Sequence, residues 1–371
     1  MDFKTEMINC ILANNRNDYT DNYDKERYGG SDPYETVTVK STIKKLIFKN
    51  KVSIDQQNNT INRIYDHLIP YFPSLEKLYN GLSDSESKDL MVLLVCFRML
   101  GYRKVKLPLS GHTYFSELKK MHLLEDKSDF IDPHFMDMKL HKFDLNNIKK
   151  NVKIYFTANG LLIDFILEQY RYKTKNTEIG ASKGDIVVDA GGCWGDTALY
   201  FADIVGETGK VFTFEFIPLN IKIFERNIAL NPELEKNIEL IKRPVWCKSN
   251  VRVFFKDHGP ASCISLDEFD GYDDIANTLS IDDLCKDFDR VDFIKMDIEG
   301  AEPDALKGAR NTIMKFKPKL AIAIYHSMGD FTDIPLWILN LNLGYKIYMG
   351  HYTISEEETV IFAAVNTINP N

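Results

Sequence analysis

The chain has 371 residues, 44% of them hydrophobic and 27% charged, an ordinary globular composition with enough length for about two domains and a sizeable core. Its 54 acidic and 46 basic residues give a net charge of -8, which provides no long-range attraction for a nucleic-acid backbone. The longest apolar run, Leu90 to Phe97, is far short of the roughly 20 residues a membrane span needs, and Met1 to Tyr19 is too polar for a signal peptide.

The six cysteines, Cys10, Cys96, Cys193, Cys247, Cys263 and Cys285, have no CxxC or CxC spacing, so reduced thiols in a cytoplasmic protein are expected, without a disulfide framework or a structural zinc site. The basic pairs Lys44-Lys45, Lys119-Lys120 and Lys149-Lys150 read as solvated faces.

In chain order, the first 35 or so residues, ending in Gly29-Gly30-Ser31-Asp32-Pro33, lack a sustained period and read as an irregular lead-in. Helices are predicted over 54–71 and 114–123, and Ser83-Asp84-Ser85-Glu86 forms a capping box with Ser83 at the cap, opening a helix that runs to Gly101. Residues 1–175 are therefore expected to be a mostly helical extension that selects an acceptor or forms a homodimer, with Tyr170, Arg171 and Tyr172 as contacts.

From about residue 176 to 371 short β-branched runs alternate with amphipathic helical segments, the grammar of a parallel α/β sheet. Strands are predicted at 186–189, 211–215, 238–241, 293–297 and 320–325, with helices at 196–204, 219–230, 303–315 and 334–341. Runs at 345–349 and 359–364 form a terminal antiparallel hairpin, giving a Rossmann-like sheet of seven strands with one reversed.

The first strand runs into Asp189-Ala190-Gly191-Gly192-Cys193-Trp194-Gly195-Asp196-Thr197. A turn whose backbone must approach a ligand needs residues without Cβ, and Gly191, Gly192 and Gly195 supply them at the edge where α/β sheets bind ligands. Glu215, at the end of the second strand, offers a carboxylate to both hydroxyls of a ribose. Asp189, Gly191, Gly192, Cys193, Trp194, Gly195, Thr197 and Glu215 are thus the candidate cofactor residues. A dinucleotide fingerprint ending at Gly195 would need glycine at position 190, where Ala190 stands. Asp189-x-Gly191-x-Cys193-x-Gly195 instead fits the Asp/Glu-x-Gly-x-Gly-x-Gly pattern of S-adenosylmethionine-dependent methyltransferases with one substitution.

Val188 to Thr197, Val211 to Glu215, and Val291-Asp292-Phe293-Ile294-Lys295-Met296-Asp297-Ile298-Glu299-Gly300-Ala301-Glu302 with Leu306-Lys307-Gly308 resemble the FkbM-type methyltransferases over roughly 184–364. The resemblance implies a class I methyltransferase fold and O-methylation, often of sugars in glycans or glycosylated natural products. It also implies a cofactor role for Asp189, Gly191 and Glu215. Bulky Trp194 stands where a small loop residue is usual.

A sugar hydroxyl is a poor acid, so methyl transfer to it calls for a base or a metal. His326, after the fifth strand, is the expected base and Asp297, at the end of the fourth, the group that orients it or the acceptor. Glu299 and His351 are further candidates. Glu302 precedes Pro303 and is expected in a capping position. Lys295 alternates with Ile294 and Met296 and is expected to bury its stem and pair with a local carboxylate. Nearby carboxylates also suit Mg²⁺, but no dedicated cation loop is present and no metal is assigned. No Asn-Pro-Pro-aromatic motif or Pro-Cys nucleophile follows the fourth strand, which argues against nucleic-acid substrates. The alternatives are a non-sugar metabolite or protein substrate, or a noncatalytic S-adenosylmethionine-binding protein.

Overall fold

The computed structural model describes residues 2–28, 68–136 and 138–366. Most of the helix expected over 54–71 and the glycine-containing end of the lead-in lie outside them. Among the described residues no helix is long and apolar enough to cross a membrane.

The centre is a seven-stranded sheet. Numbered along the chain, its strands are β1 (Ile186–Ala190), β2 (Lys210–Phe214), β3 (Ile238–Ile241), β4 (Phe293–Met296), β5 (Lys319–Ala323), β6 (Lys346–His351) and β7 (Thr359–Ala364). Their spatial order is β3-β2-β1-β4-β5-β7-β6. All neighbours are parallel except β7, which runs antiparallel to both β5 and β6. This is the seven-stranded class I arrangement with one reversed strand. The chain leaves β1 in one direction for β2 and β3 and in the other for β4 and β5, so the carboxyl ends of β1 and β4 open a crevice at the switch point.

The strands form where expected, with ends shifted by a residue or two. The helix expected over 303–315 is divided into Glu302–Lys307 and Arg310–Phe316. At the break, a Cβ on Gly308 would lie 2.3 Å from the Trp246 carbonyl oxygen, so the backbone of 246–247 passes where only glycine fits. The helix expected from Ile334 begins earlier, at Met328, because the Ser327 hydroxyl caps it by accepting from the Asp330 amide at 2.9 Å. A small antiparallel sheet of Arg252–Lys256, Cys263–Ser265 and Asp274–Asn277 lies between β3 and β4, where no strand was read.

The front portion departs from expectation in three places. Phe3–Asn14 is a helix, not an irregular lead-in; Asp2 caps it by accepting from the Thr5 amide at 2.8 Å, but only Phe3 and Met7 are buried, too few to print a period. The helix Ser85–Leu100 is capped by Asp84, not Ser83. The Ser83 hydroxyl instead accepts from the Ile347 amide at 3.0 Å and the Ser87 hydroxyl from the Met349 amide at 2.9 Å. Side chains of the helical layer thereby satisfy donors of the edge strand β6. After His112–His122 the chain forms three antiparallel strands, Asp126–Ile131, Leu140–Asp144 and Lys153–Phe156, before the short helical turns Ala158–Leu161 and Leu162–Ile166.

The sheet has an apolar core on each face. One joins Leu75, Leu78 and Val95 of the front portion to Ile294, Ile322 and Ile347. The other joins Phe143 and Phe165 to Phe201, Phe293 and Phe362. Both cores thus draw on residues from either side of position 175.

Candidate active site

The glycine loop is shaped by close approach. Gly191 has φ +97°, and a Cβ there would stand 2.0 Å from the Asp297 carbonyl oxygen; a Cβ on Gly192 would meet the Thr213 side chain at 2.1 Å. Gly195 has φ +89° at the start of the helix Asp196–Val205. Trp194 fits because it is held in packing on the cavity wall, where its indole donates to Asn220 Oδ1 at 3.1 Å and stands edge-on to Phe156.

Asp189 does not face the ligand space. It is fully buried behind the loop, where Oδ2 accepts from Thr197 and Thr213 at 2.8 and 3.2 Å. Its Oδ1 lies 3.1 Å from Lys295 Nζ, which also donates to the carbonyls of Gly191 and Ala190 at 2.6 and 3.3 Å. The expected pairing of Lys295 with a carboxylate is therefore present, and it ties β4 to the loop. Asp189, Gly192 and Gly195 shape the site from behind, whereas Gly191, Cys193, Trp194, Thr197 and Glu215 line a cavity of about 1130 Å³.

Glu215 is buried, and burial pushes its carboxyl up to about 7. Oε1 accepts from the Phe216 and Ile217 amides at 2.6 and 2.8 Å, while Oε2 has a long 3.4 Å contact from Asn220. A loop with no room for Cβ atoms beside a carboxyl with a spare acceptor oxygen fits a nucleoside-bearing cofactor.

The second half of the site hangs on the end of β4. Asp297 accepts from the hydroxyls of Tyr170 and Tyr325, both at 3.0 Å. His326 Nε2 lies 3.5 Å from Asp297 Oδ1 and 3.6 Å from Glu299 Oε2, and Nδ1 lies 3.4 Å from Glu302 Oε1. Neither ring nitrogen has a hydrogen-bond partner among the described residues. Burial is opposed by these carboxylates, and the net effect raises the His326 pKa. Burial, with Asp297 adding to it, pushes Glu299 to about 8, and burial pushes Glu302 to about 7.

Two expectations change here. Asp297, Glu299 and Tyr325 line the cavity, but His326 is not among its lining residues and stands behind them. His351 is not at the site at all: it ends β6, buried, with Nδ1 2.9 Å from the Thr359 hydroxyl, and burial depresses it to about 3. Glu302 is not a cap either. Ala301 holds that position, and Glu302 closes the preceding turn by accepting from the Ile298 amide at 2.7 Å. One ligand atom each from Asp297, Glu302 and His326 lies within 4.8 Å of the others, close enough to share a cation.

The front portion supplies cavity walls, including Lys139, His141, Phe156, Asp164 and Tyr170. Arg171 and Tyr172 are engaged elsewhere, Arg171 with Glu178 and the Ala181 carbonyl, Tyr172 with Asp84. Asn220, Asp164 and Asp196 were not anticipated. An acid inside the apolar run Leu161 to Ile166 was the readable signal for Asp164.

Residues 178–347 match the family described as the Methyltransferase FkbM domain. No curated protein matches the chain. Among solved structures, the methyltransferase FkbM from Methylobacillus flagellatus KT is 20% identical with a TM-score of 0.51, over 80% of this chain and 59% of that one. The chain thus spans about three fifths of that relative's length. The fibrillarin of Aeropyrum pernix with bound S-adenosyl-L-methionine is 17% identical over 56% of this chain and 73% of its own, at a TM-score of 0.33, too low to carry an inference. Glycine loop, acidic second-strand end and β4 segment all fall within residues 178–347, the segment that matches the Methyltransferase FkbM domain.

Proposed function

We propose that the chain is an S-adenosylmethionine-dependent O-methyltransferase acting on a hydroxyl of a sugar or glycan. The observation that supports this most is that one cavity is bounded both by the glycine loop with Glu215 and by Asp297 with Glu299. Its volume, about 1130 Å³, exceeds the roughly 300 to 1,000 Å³ typical of a single-ligand pocket, leaving room for a cofactor and a polyhydroxylated acceptor.

When bound, S-adenosylmethionine supplies an electrophilic methyl group. The chain's own part is to bind, orient and accept a proton. Glu215 Oε2 accepts from ribose hydroxyls. Asp297, fixed by two tyrosine hydroxyls, orients the acceptor. Glu299 accepts no hydrogen bond from the described residues, faces the cavity, and is raised to about 8, so that its ionised form is basic enough to receive the proton of the acceptor hydroxyl. His326, behind it, is a positioning residue whose charge steadies the ionised Glu299.

The test is transfer of labelled methyl to nucleotide sugars and glycans. Product on a sugar hydroxyl is expected, with turnover lowered about 10² to 10⁴-fold in Glu299→Gln. Label on protein or a non-sugar metabolite would move the substrate class, and binding without turnover on any acceptor would mark a noncatalytic protein. The clustering of Asp297, Glu302 and His326 favours one second reading, a Mg²⁺ ion that lowers the hydroxyl's pKa. Activity lost in EDTA and restored by Mg²⁺ would establish it.

A further inference from the structure

Two carboxyl groups with no part in the chemistry above face each other on the cavity wall. Asp164 lies in the π-helical turn Leu162–Ile166, in the front portion and outside the family segment. Asp196 is the first residue of the helix that follows Gly195. Each is only 7% exposed, and both line the cavity. Their carboxyls are within hydrogen-bonding reach of one another, and Asp196 Oδ1 is buried with no hydrogen-bond partner among the described residues.

Two buried carboxyls in contact cannot both ionise cheaply. Burial raises both, Asp196 to about 6. The nearest buried cation, Lys295, is held by Asp189 and by the carbonyls of Ala190 and Gly191. Lys295 is thus already engaged, and a ligand cation would let both acids ionise while satisfying the orphaned oxygen. Glu215 offers the cavity a hydrogen-bond acceptor too, but it is suited to hydroxyls, because its Oε1 is already saturated by two backbone amides.

We infer that Asp164 and Asp196 form the seat for a primary ammonium group, that of the amino-acid moiety of the nucleoside cofactor. This rests on the S-adenosylmethionine reading. It also gives the front portion a direct share in cofactor binding through Asp164, so the cofactor site is not complete within residues 178–347.

The test is calorimetry of the full chain at pH 7.5 with S-adenosylhomocysteine and with its deamino analogue, in which hydrogen replaces the amino group. The native protein should prefer the amine about tenfold to a hundredfold. In Asp164→Asn and in Asp196→Asn the preference should shrink to within about threefold, while the deamino analogue binds as it does to the native protein and so reports an intact pocket. Equal affinity of the native protein for both ligands would overturn the inference and leave the cofactor reading standing. So would a full native preference retained in both variants. Failure of the native protein to bind either ligand would overturn the cofactor reading itself, and the ammonium seat with it.

Discussion

Gly191 and Asp297 touch across the switch point: a side chain on the glycine would stand 2.0 Å from the carbonyl oxygen of the aspartate. The cofactor loop after β1 and the acidic loop after β4 therefore set each other's position. Gly191→Ala adds both this clash and a Cβ at φ +97°. The left-handed backbone alone costs roughly 1 to 2 kcal/mol. Urea denaturation should show at least that loss, and S-adenosylhomocysteine affinity should fall more than tenfold; wild-type values in both would refute the coupling.

Glu215 predicts a pH dependence of stability with a definite sign. Its folded-state pKa is about 7 against an ordinary 4.5, because burial disfavours the charged form. The ligand-free native state thus holds a proton that the unfolded state releases first. Stability from this group is fully present below about pH 4.5, declines as pH rises through 7 and then levels, by a loss on the order of 3 kcal/mol. Glu215→Gln removes the dependence. Thermal melts without ligand should show the variant equal to the native protein at pH 4 and more stable at pH 8; equal melting at pH 8 would contradict the assignment.

Lys295 and Asp189 form an ion pair with almost no exposure. Breaking such a pair leaves an uncompensated buried charge, at a cost of roughly 3 to 5 kcal/mol. Lys295→Met should be destabilised by about that amount, and Lys295→Met with Asp189→Asn should recover much of it. A loss under about 1 kcal/mol for the single variant would mean the pair is not ionised.

The three acid-base candidates should separate by kinetics. Glu299→Gln should lower kcat by about 10² to 10⁴-fold with S-adenosylhomocysteine affinity unchanged. His326→Gln should lower kcat less and shift the pH-rate profile of the remaining activity, since it acts through Glu299. His351→Ala should leave kcat within about threefold, because that imidazole is buried at the end of β6 and lines no part of the cavity. A larger kcat loss for His351→Ala than for Glu299→Gln would reverse the assignment.

The sheet was legible because parallel strands buried on both faces print as short β-branched runs, and the loop because Gly191, Gly192 and Gly195 have few other reasons to cluster after a strand. The pairing of Lys295 was legible from alternation alone. Which way a residue faces was not. Asp189 and His326 sit at the ends of the right strands, yet one lies behind the loop and the other behind the carboxylates, and sequence position is the same for either face of a turn. His351 looked like hairpin-turn material because β6 extends two residues beyond its apolar run. The cap of Ser85–Leu100 was misplaced by one residue because the Ser83 hydroxyl serves β6, 264 residues away. Asp164 belongs to the cavity only through long-range packing, which no local period encodes.

The most direct test of the cofactor site is calorimetric titration of S-adenosylhomocysteine into the native protein and Glu215→Ala. Micromolar binding by the native protein, weakened at least a hundredfold in the variant, is the expected result. Equal affinity in the two proteins, or tight binding of a nicotinamide dinucleotide by the native one, would contradict it.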